Sequence, residues 1–230
     1  MMSDPSVPGD LSALKRFARR GQQAVQAALE SCDFCSEPIP TEHRHLLEIS
    51  KREVMCVCQA CSILFDREAA SLGKFRLIPD RRLYFPDFQM DDIQWEGLRI
   101  PVGLAFLFYS TPAEKVLAYY PGPMGATESL LSLDTWGDLV RCNPILQKME
   151  PDVEALLINR ARGARDHFLV PVDECYRLVG ILRMNWRGFT GGKEVWEEIG
   201  RFFKQLRGRS KTFRSETSDS PPGEAQGKES

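Results

Sequence analysis

The sequence predicts an α+β fold in which an N-terminal helix and a four-cysteine metal finger precede a mostly antiparallel sheet covered by a C-terminal helix. Three observations carry that expectation. Two Cys-x-x-Cys pairs lie close together in the first third of the chain, strand-length apolar runs recur after residue 75, and a broad apolar stripe repeats at helical spacing from Gly192 to Leu206. With 230 residues and 43% hydrophobic content, the chain can bury one ordinary core beside a metal-stapled module.

Residues 1–9 are polar, with Pro5, Pro8 and Gly9, and read as a flexible start. Asp10 can cap an amphipathic helix over 10–30, on which Leu11, Leu14, Phe17, Val25, Ala28 and Leu29 recur near helical spacing. Lys15, Arg16, Arg19 and Arg20 populate its other faces, and Gly21 weakens its middle by about 1 kcal/mol relative to alanine. The basic side is read as a solvated face, with an acidic membrane or partner as the alternative.

Residues 31–74 form a zinc-finger-like module. Cys32-x-x-Cys35 and Cys58-x-x-Cys61 are separated by 22 residues, and each pair can turn as a knuckle that delivers two sulfurs from one side. Four thiolates close a tetrahedral shell, which suits Zn2+ and lets binding free energy fold a segment too small for its own core. Between the pairs, His45 to Ile49 and Glu53 to Val57 read as a hairpin about the polar Ser50-Lys51-Arg52. After them Ile63, Leu64, Ala69 and Leu72 suit a short helix ending near Gly73. Knuckle, hairpin and helix in that order resemble the treble-clef zinc finger, with the second ligand pair at the helix start. Cys56 is a spare thiol, read as a small buried strand residue. His43 and His45 would face one side of a strand, where they could replace a cysteine ligand or support one from behind; partly exposed strand-entry residues are the plainer reading. Iron, as a rubredoxin-like centre or an iron–sulfur cluster, uses the same ligands and stays open, although Ser36 and Ser62 stand where rubredoxin knuckles favour glycine and proline.

Residues 75–207 read as the α+β domain. Strand-like runs occur at Phe75 to Ile78, Leu98 to Tyr109, Lys115 to Tyr120, Val153 to Asn159, His167 to Val172 and Cys175 to Asn185. In the last, Tyr176, Leu178, Leu182 and Met184 share one face by period-two spacing, opposite Arg177 and Arg183. Val195, Trp196, Ile199, Phe202, Phe203 and Leu206 form the stripe of the covering helix, and a shorter helix near Asp134 uses Trp136, Leu139 and Val140. From Gly208 to Ser230 the composition turns polar and Gly/Pro-rich, which predicts a disordered tail.

Outside the finger no residue set carries comparable chemistry. Pro121 to Ser129 is a Gly/Pro loop without the Gly-Lys-Ser/Thr ending of a phosphate cradle, so it reads as a turn. His167 and Cys175, with Asp173 or Glu174, are near in sequence only, and Cys142 reads as structural. Asp91, Asp92 and Glu96 read as acidic surface, and Trp95, Trp136, Trp186 and Trp196 as core anchors. The longest apolar run, Ile100 to Tyr109, is too short for a membrane span, and the start lacks a signal-peptide core, which predicts a cytosolic protein with reduced or metal-bound cysteines. A net charge of −2 gives no general drive toward nucleic acid, although Arg201 to Arg214 holds six basic residues and no acidic one.

The strings Cys32-Asp-Phe-Cys-Ser-Glu-Pro-Ile-Pro-Thr-Glu-His-Arg-His-Leu-Leu47, Cys56-Val-Cys-Gln-Ala-Cys61, Tyr120 to Ser129 and Asp173 to Gly180 resemble those of an uncharacterised bacterial family, mainly actinobacterial. The resemblance covers most of the chain apart from both ends. Its members are often encoded beside nickel-iron hydrogenase genes, which implies a role in hydrogenase maturation or assembly and transfers no catalytic residue. The resulting expectation is a zinc-stabilised accessory or adaptor protein with a protein partner. The alternatives are an iron-based electron-transfer partner, a nucleic-acid-binding protein and, last, an enzyme using the 121–129 loop.

Overall fold

The structure, a computed structural model, describes residues 30–129, 133–188 and 191–214. Nearly all of the helix expected over 10–30 falls outside these residues, as do the flexible start and residues 215–230.

Two sheets organise the described chain. In the first, β1 (Arg44–Glu48) pairs with β2 (Glu53–Val57) as an antiparallel hairpin, and β3 (Phe75–Leu77) joins the other side of β1. Helices α1 (Gln59–Phe65) and α2 (Glu68–Ser71) connect β2 to β3. One face of this hairpin, with Leu46 and Val57, closes a small core with Cys32, Ile39 and Cys61. The anticipated helix is thus split in two, and its apolar positions look outward: Ile63 and Leu64 are about half exposed and Leu72 lies open to solvent.

The second sheet has the order β10-β4-β9-β8-β5-β6-β7. Its strands are β4 (Leu83–Tyr84), β5 (Leu104–Ser110), β6 (Lys115–Gly122), β7 (Gly125–Ser129), β8 (Glu154–Asn159), β9 (Asp166–Pro171) and β10 (Lys211–Thr212). All neighbours are antiparallel except β10 and β4. Helices α3 (Asp92–Gly97) and α4 (Leu133–Cys142) precede β8, and α5 (Val172–Asn185) and α6 (Gly192–Arg209) follow β9.

The central strands β5 and β8 are apolar on both faces, so the sheet is covered twice. Leu104, Phe106, Phe108, Leu157, Phe168 and Val170 pack against Leu178, Leu182, Ile199, Phe202 and Leu206 of α5 and α6. On the other face Ala105, Leu107, Leu156 and Ile158 meet Leu98, Leu139 and Leu146. The expected C-terminal cover is present, and a second layer built around α3 and α4 lies opposite it.

Three further sequence expectations change. Cys175 to Asn185 is the body of α5, not a strand. Cys175, Leu178, Val179 and Leu182 are buried at helical spacing, whereas Met184 is 85% exposed. The run from Leu98 becomes a strand only at Leu104. Leu98 ends α3, Arg99 has a left-handed φ of 52°, and Gly103 passes so close to β8's exit that a Cβ would sit 2.6 Å from the Ala161 backbone. Finally, the chain past Gly208 continues as helix to Arg209 and then as β10, and Phe213 packs edge-on against Phe85 with ring centroids 5.9 Å apart.

Candidate metal centre

Each cysteine pair is placed by its own local geometry. The first knuckle is a closed loop: the Cys32 amide donates to the Glu37 carbonyl at 2.8 Å, the Ser36 amide returns to the Cys32 carbonyl at 2.8 Å, and Ser36 takes a left-handed φ of 61°. Asp33 then anchors the loop to β2, because its amide donates to the Cys56 carbonyl at 2.9 Å and its carboxylate accepts from the Cys56 amide at 2.7 Å. The second pair sits where β2 turns into α1. Cys58 is the N-cap, and its sulfur accepts the Cys61 amide at 3.4 Å.

The two knuckles bring four sulfurs together. The Sγ atoms of Cys32, Cys35, Cys58 and Cys61 all lie within 4.8 Å of one another, and Cys35 and Cys58 are 3.7 Å apart. A tetrahedron with metal–sulfur arms of about 2.3 Å has edges of about 3.8 Å, so the group could hold a metal ion. Cys32 and Cys61 are buried, Cys58 is half-buried and Cys35 is exposed. Phe34 stacks on Phe65 with centroids 4.1 Å apart and meets Phe75 edge-on at 5.1 Å, walling the inner side.

The thiols are not equivalent. Burial pushes Cys32 up, but the backbone amides of Cys58, Cys35 and Phe34 together outweigh it and bring the thiol down to about 6. Burial and the neighbouring sulfurs push Cys61 up instead. The backbone amides thus favour the thiolate at Cys32, whereas burial and the neighbouring sulfurs favour the thiol at Cys61, a difference that a cation held by all four sulfurs would offset.

Cys56, His43 and His45 do not complete this shell; they form a separate group of donors on the other face of the hairpin. The remaining candidates are dispersed. His167 and Cys175 lie on opposite faces of the large sheet: His167 stacks on Phe88 at 4.5 Å, while Cys175 is fully buried among Phe168 and Val170. Burial drives the Cys175 thiol well up, which suits a packed hydrophobe and not a nucleophile. The 121–129 segment is a hairpin at the sheet edge, with Gly122 paired to Gly125 and the Ser129 hydroxyl donating to the Leu98 carbonyl at 2.8 Å. Asp91 caps α3, and Asp92 pairs with Arg160 at 2.6 Å and Arg165 at 3.1 Å. Cys142 is exposed. Several of the C-terminal arginines are held internally, Arg207 by Asp166, Arg209 by Glu174 at 3.0 Å and Arg201 by Glu198 at 2.6 Å.

Sequence reasoning set Asp173 beside His167 and Cys175 and missed its pairing with His45. Its value depends on α5 starting at Val172, which places the carboxylate in the first helical turn and 2.8 Å from His45 Nδ1. Its nearness to the acidic Glu174 gave no such signal.

Residues 31–210 match the sequence model of a family of unknown function, DUF5947, a span that takes in both the finger and the α+β body. No match to the chain is found among curated proteins or among solved structures. Among the described residues no helix is long and apolar enough to cross a membrane.

Proposed function

We propose that this chain, which belongs to that family, is a cytosolic accessory protein whose treble-clef-like finger is held by a structural zinc ion on Cys32, Cys35, Cys58 and Cys61. The observation that carries the reading is the gathering of four sulfurs within 4.8 Å of one another by two knuckles that the Asp33–Cys56 hydrogen bonds tie together. A closed four-sulfur shell leaves no position for substrate, so the metal shapes a surface and does not act on a ligand. That surface is apolar where a free module would be polar: Ile63 is 51%, Leu64 52% and Leu72 89% exposed on the finger. We assign these residues to docking of a protein partner. The family resemblance points to the assembly machinery of a nickel-iron hydrogenase as that partner.

Elemental analysis of the reduced full-length protein tests the metal. Cys58→Ser should remove one equivalent of zinc and lower the thermal midpoint, because losing one ligand weakens a folding-coupled site. Iron in place of zinc, with a visible absorption band and a reversible one-electron titration, would make the protein an electron carrier. Affinity capture from the native host tests the partner: Ile63→Asp/Leu64→Asp should release a protein held by the wild type and leave the zinc content unchanged.

A further inference from the structure

On the face of the β1–β2 hairpin opposite the four-thiolate cluster, His45 and Cys56 stand directly across the antiparallel ladder from each other. Side chains at such a pair share one face, and His43, two residues before His45, returns to it. The result is a compact set of donors. One nitrogen from each histidine and the Cys56 sulfur lie within 4.8 Å of one another.

The hydrogen bonds fix which nitrogens are free. His43 Nδ1 is 2.9 Å from the Pro40 carbonyl oxygen, with the Glu30 carboxylate 3.4 Å away. His45 Nδ1 is 2.8 Å from Asp173 Oδ2. Both partners only accept, so both Nδ1 atoms carry a proton, and in the neutral rings both Nε2 atoms present lone pairs. Those two Nε2 atoms face each other at 3.1 Å. Two lone pairs at that distance repel unless a cation lies between them, and two nitrogens on one tetrahedral zinc at about 2.0–2.1 Å are about 3.3 Å apart. A shared proton would also relieve the repulsion, but it needs no third donor. Cys56 supplies one.

We propose that His43, His45 and Cys56 form a second metal site for zinc or another borderline divalent ion. The set has the backing typical of a metal centre, since a carboxylate and a backbone carbonyl each hold the far nitrogen of a histidine ligand and orient its ring. Asp173 is well placed for this task. It lies in the first turn of α5, and among the described residues its other oxygen has no hydrogen-bond partner, so the carboxylate is directed at His45. The ligand count separates this site from the four-thiolate one. Three protein donors leave one tetrahedral position for water or an exogenous ligand, and both histidines line a cleft of about 340 Å3 shared with Thr41, Arg44, Asp80 and Arg82. The finger thus carries a closed metal on one face and an exchangeable metal on the other. Because Asp173 belongs to α5 and the three ligands to the finger, the exchangeable metal also ties the finger to the body.

Cobalt(II) loading of the reduced, metal-stripped full-length protein tests the proposal, with bound cobalt counted by elemental analysis and the sites resolved by visible absorption. Wild type should take up two cobalt ions per chain in distinguishable steps. His43→Ala/Cys56→Ser should take up one and keep the intense thiolate-to-cobalt band of the four-cysteine site. Asp173→Asn retains all three ligands and should weaken only the second step, by about 10- to 100-fold. One cobalt in saturated wild type that shows the four-thiolate band, or two in the double variant, overturns the site. Should the double variant also lose the four-thiolate band, Asp173→Asn decides: an unchanged second-step affinity overturns the proposal. Loss of the four-thiolate band from wild type with the second step intact would sink the structural-zinc reading and leave this one standing.

Discussion

His167 enters the large sheet as a neutral side chain. It is 5% exposed and stacks on Phe88, and burial, helped by the Arg165 charge, brings its pKa down from 6.5 to about 4. The sign of the consequence follows from linkage. The unfolded chain binds a proton near pH 6.5 and the folded one only near pH 4, so the stability carried by the neutral ring is complete above 6.5 and drains away as pH falls toward 4. A shift of that size corresponds to roughly 3 kcal/mol over the whole window. Urea unfolding of wild type and His167→Gln at pH 7 and pH 4.5 isolates it: wild type should lose about 2 kcal/mol more than the variant. Parallel losses would mean that the ring titrates alike in both states. The histidine's presence in a strand was legible in the sequence, but its side of the sheet relative to Cys175 was not, because Cys175 belongs to a helix.

At the scale of elements, what could be read depended on whether one period alone fitted the residues. The knuckles were legible because Cys-x-x-Cys spacing is set by metal chemistry, and α6 because six large apolar residues, Val195 to Leu206, repeat over about three turns with no strand alternative. α5 was misread for a specific reason: Leu178 and Leu182 are four apart, a spacing that satisfies both the two-residue and the 3.6-residue period. The helix signal lay in its ends, where Pro171 precedes the first turn, Asp173 and Glu174 occupy that turn, and Arg183 occupies the last. β4 and β10 are two residues each and carry no period at all. Two alanine substitutions distinguish the alternatives. A strand would give Leu182 and Met184 the same burial, whereas the helix buries Leu182 and leaves Met184 85% exposed. Leu182→Ala should cost about 2–5 kcal/mol and Met184→Ala less than about 0.5 kcal/mol in denaturant unfolding. Comparable costs at both positions would return the segment to a strand.

Across the whole molecule the finger is packed on the body, not tethered to it. Leu47 and Ile78 from the finger side meet Val153 and Val172 from the body in one buried cluster, with Val54 and Tyr176 against it. Polar contacts flank that cluster: Arg52 donates to the Tyr119 hydroxyl, Arg76 donates to the Pro151 carbonyl at 2.9 Å, and His45 meets Asp173. If the four-cysteine group holds a metal as proposed, its loss should expose apolar surface on both partners, and the two parts should unfold as one unit. In His43→Ala/Cys56→Ser, where only the four-thiolate site remains, the arithmetic is that of a single ligand. Each tenfold rise in free zinc above the dissociation constant adds about 1.4 kcal/mol, or roughly 3–5 °C in Tm for a domain of this size. Calorimetry across a zinc-buffer series should show one transition that climbs by that increment. Two transitions, with only the smaller one following zinc, would show instead that the shared cluster does not couple the finger to the sheet.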